Sequence, residues 1–74
     1  MKFCIVRAVR DDFESLHMAT AMCASGGEPF AVVVNPRADL SMRWHVFARF
    51  EATSPVETIA KEIDDLFDSM MGRG

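Results

Sequence analysis

Residues 42–50, MRWHVFARF, alternate strictly between two kinds of side chain. Met42, Trp44, Val46, Ala48 and Phe50 fall on one side of an extended chain, and Arg43, His45, Phe47 and Arg49 fall on the other, because successive side chains of a strand point to opposite faces. The spacing predicts a strand over 42–51 with one apolar face turned to a core. Directly behind it, in ATSPVETIAKEIDDLF (52–67), the period changes. Val56, Ile59, Ala60, Ile63, Leu66, Phe67 and Met70 now recur at helical spacing, so an amphipathic helix follows the strand. Its start is written as Ser54 for the cap, Pro55 at the first helical position and Glu57 to complete a capping box.

Working back from that pair, KFCIVRAV (2–9) is β-branched and aromatic enough for a strand. Asp11 and Glu14 have the spacing of a cap and its reciprocal partner, so a first helix starts there. Phe13, Leu16, Thr20 and Cys23 recur at three- and four-residue steps and predict its buried stripe. Met18 and Met22 lie off that line, and Gly26-Gly27 ends the helix. FAVVVN (30–35) is too short for a helix and reads as a strand. NPRADLS (35–41) is a loop that makes a hairpin with the strand 42–51.

The order is β-α-β-β-α in one domain spanning 1–74, and each element has a face to bury. This predicts a two-layer α+β fold, a mostly antiparallel three-stranded sheet with both helices on one face. Right-handed crossover favours strand order 1-3-2, which resembles a ferredoxin-like fold without its last strand. The order 1-2-3 is the alternative, because AVVV, apolar on both sides, suits a central strand. In the order 1-3-2 the first strand keeps a free edge, which a second copy of the chain (a homodimer), a different partner or shielding by the C-terminal residues would cover.

A chain of 74 residues gains only about 3–5 kcal/mol from its core without help, so association is expected from the outset. No apolar run is long enough to cross a bilayer, and charge comes too early for a secretory signal, so no membrane partner and a cytoplasmic location are expected. In that setting Cys4 and Cys23 read as reduced, buried small hydrophobes. The net charge is −3, unevenly placed: residues 51–74 hold two basic and six acidic side chains.

Catalysis needs a nucleophile, a base and something to orient the base. Ser15, Ser25, Ser41, Cys4, Cys23, His17 and His45 lie in no such motif, so the chain is expected not to be an enzyme. Two Cys and two His without C-x₂₋₄-C or H-x₃₋₅-H pairs do not make a zinc site, and the helix carboxylates lack the spacing of a calcium loop. No glycine-rich loop cradles phosphates. No cofactor and no metal are expected.

Binding surfaces remain. Arg43, His45, Phe47 and Arg49, beside Arg7 or Lys2, form a basic strand face with one outward aromatic, the type of platform on which RNA bases stack. The glycines of the RRM signature are missing. Glu57, Glu62, Asp64, Asp65 and Asp68 form an acidic helix face suited to a basic partner, or simply to water. Met18, Met22, Met70 and Met71 are adaptable contacts or core fillers.

Small size, acidity and the run WHVFARFEATSPVETIAKEIDDLF, about a third of the chain, look like the small phage-encoded inhibitors of the anti-CRISPR type. That resemblance implies a non-enzymatic protein that binds a larger host protein or nucleoprotein complex and occludes one of its sites. A small RNA-binding domain and an assembly subunit are the alternatives from the residues themselves.

Overall fold

The computed structural model describes residues 1–73. Its elements are β1 (Lys2–Val9), α1 (Asp12–Ala24), β2 (Glu28–Val34), a short 3₁₀ turn (Leu40–Met42), β3 (Trp44–Glu51) and α2 (Val56–Met70). The strands form one antiparallel sheet in the order β1-β3-β2. This is the expected α+β fold and strand order. The run AVVV is accordingly an edge strand and not a central one, so its two-sided apolarity has to be explained by something other than burial within the sheet.

The inner row of β3, Val46, Ala48 and Phe50, is buried against both helices. It joins Ile5 and Val9 of β1, Met18, Ala21 and Met22 of α1, and Ile59, Ile63 and Phe67 of α2 in one cluster. The strict alternation in 44–50 therefore decides which face receives the helices. The strand starts two residues later than its pattern suggests. Met42 lies in the 3₁₀ turn, and Arg43 leaves the row because its Nε donates to the Ala38 carbonyl at 3.1 Å, inside the hairpin loop.

α1 starts as its sequence predicts. The Asp11 carboxylate accepts from the Glu14 amide at 2.9 Å, and the Glu14 carboxylate accepts from the Arg10 amide at 2.9 Å. A second Glu14 oxygen accepts from Arg73 Nη2, also at 2.9 Å, tying the end of the chain to the start of α1. The buried side of α1 is the reverse of the predicted one. Ser15, Met18, Ala21 and Met22 face the sheet, while Phe13, Leu16, Thr20 and Cys23 face solvent. Ala21 and Ala48 are both completely buried and small, so helix and strand approach closely there, and two flexible methionines fill the irregular space that remains.

α2 begins one residue later than expected. Pro55 is extended (φ −60°, ψ 149°) and is itself the cap, so Ser54 makes no capping bond. Glu57 still lies in the first turn, where a negative charge meets the positive end of the helix dipole. Both cysteines are exposed and free, contrary to the expectation of burial: Cys4 lies on the outer side of β1, and Cys23 on the outward side of α1.

The turn from α1 to β2 is the tightest junction in the molecule. Gly26 takes the left-handed conformation (φ 91°), and the Gly27 amide donates back to the Met22 carbonyl at 2.8 Å, closing the helix end. The far edge of the Phe50 ring occupies the place a Gly27 side chain would take, and the ring stacks on Phe3, with centroids 5.5 Å apart. A Cβ at Gly27 would overlap that ring. Replacing Gly27→Ala should lower stability by about 1–3 kcal/mol in urea unfolding. An unchanged midpoint would show that the ring is not seated there.

Candidate binding surfaces

Cross-strand partners in an antiparallel pair point to the same side of the sheet, so the register gives each face its occupants. On the outer face, His45 lies between Ala8 and Val33, Phe47 between Val6 and Ala31, and Arg49 between Cys4 and Glu28. Glu51 faces Lys2. A β-bulge between Pro29 and Ala31 turns Phe30 onto this face as well, its ring centroid 6.2 Å from that of Phe47. The Arg49 guanidinium covers the Phe30 ring at 4.4 Å. The outward aromatic is thus a pair. The second member is invisible to a strict two-residue period, because the bulge reverses the side on which Phe30 emerges.

The expected row of cations does not assemble here. Arg7 faces Val46 across the strands, which puts it on the helix side. Its Nε donates to Asp64 Oδ1 of α2 at 2.7 Å and its Nη2 to Asp64 Oδ2 at 3.3 Å. Arg43 is held in the hairpin loop. Lys2 and Arg49 are left on the outer face, matched by Glu28 and Glu51. That face is neutral overall, although it was expected to be basic.

The acidic side of α2 is dispersed too. Asp64 is engaged by Arg7, and Asp65 accepts from Lys61 Nζ at 3.1 Å. Glu57 and Glu62 are exposed and Asp68 is half-buried. Among the described residues these three have no ion-pair partner. Nor do three His, Cys, Asp or Glu side chains converge anywhere among the described residues. His17 lies on the outward side of α1 with its Nδ1 2.9 Å from the Phe13 carbonyl. A carbonyl only accepts, so Nδ1 carries the proton. The ring leans on Phe13 at 4.4 Å.

Exposed apolar side chains also lie where no site is expected. Phe13 is 60 % exposed and Leu16 67 %, with Thr20 and Cys23 completing a stripe along the outside of α1. Separately, β2 exposes Phe30 and Val33 on the outer face and Val32 and Val34 on the helix side, each between 46 and 50 %. Of the four methionines considered for contacts, Met18 and Met22 are core, Met71 packs at its margin and Met70 is exposed. An open cleft of about 340 Å³ at the end of the sheet is lined by Lys2, Phe3, Gly26, Glu28, Arg49 and Glu51, among others. Its charged side chains are two cations, Lys2 and Arg49, and two anions, Glu28 and Glu51.

No family model, curated protein or solved structure matches the chain.

The two ion pairs of α2 differ in what they hold. Asp64→Asn breaks a two-point contact between β1 and α2 with partly shielded Arg7, and should lower stability by about 0.5–1 kcal/mol. Asp65→Asn removes an open pair within one helix and should leave the urea midpoint within error. Equal losses from both would refute this ranking.

Proposed function

We propose that this chain is a non-enzymatic binding protein that acts by seating on a larger protein or nucleoprotein complex and covering one of its sites. The observation that supports this most is the outward side of α1. A helix that is apolar all round belongs in an interior, yet here Phe13 and Leu16 are more than half exposed while the opposite side of the helix already fills the core. Within the monomer the stripe contributes little beyond the contact of Phe13 with His17. Large apolar side chains that a fold leaves in water mark surfaces that another molecule covers.

The matching partner presents an apolar cleft for Phe13 and Leu16. Basic residues at its rim would meet the unpaired Glu57, Glu62 and Asp68 of α2. Such a partner, occupied by a rigid domain, is blocked by volume alone. The likeness to small phage inhibitors in size, acidity and strand-to-helix pattern is consistent with this mode of action.

A second reading has one observation in its favour. Phe30 and Phe47 stand together on the outer face with Arg49 on one ring, an arrangement on which a base can stack. The neutral charge of that face counts against it, since phosphate contacts supply most of the affinity for nucleic acid.

Leu16→Glu separates these readings. Leu16 is exposed, so the substitution should leave unfolding unchanged within about 0.5 kcal/mol. It should abolish retention of every protein that the unaltered chain captures from a nuclease-treated host lysate. Phe47→Ala should leave capture intact. If Leu16→Glu captures the same set while Phe47→Ala loses nuclease-sensitive RNA, the outer sheet face is the site and the α1 proposal fails.

A further inference from the structure

The two edges of the sheet are built differently. β1 carries Lys2 and Arg7, and Arg7, directed to the helix side by its register with Val46, also donates from Nη1 to the Val6 carbonyl at 3.1 Å. An inward-pointing charge on an edge strand is one of the devices by which edges resist pairing. β2 carries such devices only at its start, where Pro29 and the bulge sit. From Pro29 to Val34 it holds no charged residue, its bulge is confined to the start, and the regular part Ala31–Val34 is almost entirely valine. Val32 and Val34 emerge on the helix side and Val33 on the outer side, all about half exposed.

We propose that β2 is the edge at which two copies of this chain join, antiparallel about a twofold axis, to make one six-stranded sheet. Two observations select a second copy as the occupant. A twofold contact requires a surface that complements itself, and an antiparallel pairing centred on Val33 sets Val33 against its own mate and Val32 against Val34. The ends of the strand carry opposite charge: Glu28 starts β2, and Arg37 lies just beyond its end. Antiparallel pairing brings each Glu28 to the end where the partner's Arg37 lies, and among the described residues neither has an ion-pair partner within its own chain.

Sedimentation equilibrium of the full chain tests this. The expected mass is twice 8.3 kDa at high micromolar concentration. Val33→Lys, which sets two ammonium groups against each other at the axis, should weaken association at least tenfold while the circular dichroism spectrum stays that of the folded chain. Glu28→Arg and Arg37→Glu should each weaken it, and the two together should restore it, which a change in general solubility would not do. A mass of 8.3 kDa throughout, or a dimer indifferent to Val33→Lys, overturns the inference. A dimer broken by Leu16→Glu but not by Val33→Lys would place self-association on α1, and would overturn the α1 docking proposal as well. Host-protein capture undiminished by Leu16→Glu, with the β2 dimer intact, would refute only the latter.

Discussion

Val46, Ala48 and Phe50 are at most 3 % exposed, and the position of every other element follows from that row. β3 is the one strand with neighbours on both sides, so its inner face must be filled by both helices and its outer face is left to solvent. Phe50 extends the constraint. Its ring rests on Phe3 and on the backbone of Gly27, so one side chain fixes β1, β3 and the turn that ends α1. At the other end of the domain Glu14 joins the start of α1 to Arg73 beyond α2. The two helices are thereby held at opposite ends, and the orientation of α1 about its own axis is set by these contacts.

This explains which features were legible in the residues. The alternation in 44–50 lies as its period requires, and the α2 stripe does so at its centre: Ile59, Ile63 and Phe67 are buried and Ala60 partly so, while Val56, Leu66 and Met70 at its margins are exposed. The strand order followed from crossover handedness. α1 was different, because helical spacing describes two stripes on it equally well: Phe13, Leu16, Thr20, Cys23 and, opposite, Ser15, Met18, Ala21, Met22. Size and hydrophobicity favour the first. Packing selected the second, because a close approach at Ala48 accepts alanine and flexible methionine more readily than a phenylalanine.

The candidate site was less legible for the same kind of reason. Arg43, His45, Phe47 and Arg49 share a parity, but a parity is only a face while the strand lasts. Arg43 precedes β3 and turns into the loop, and Arg7 emerges beside α2. Phe30 joins the outer face through a bulge that no alternating pattern contains. Of the acidic residues, Asp64 serves the fold, and Glu57, Glu62 and Asp68 remain unpaired. Among what the molecule leaves in water are two apolar features, the outside of α1 and the edge strand β2. A domain this small has little apolar surface to spare, so leaving two such features uncovered is consistent with a chain whose working form is an assembly.

The most direct test of that account is amide hydrogen exchange of the unaltered chain, followed residue by residue at low micromolar and at near-millimolar concentration. An edge strand has alternate amides with no partner in the monomer. If β2 is an interface, its outward amides between Phe30 and Val34 exchange more slowly in the concentrated sample while those of β1 do not change. Exchange in β2 that is equally fast at both concentrations would contradict the account, and would leave the strand as an exposed edge with no second copy upon it.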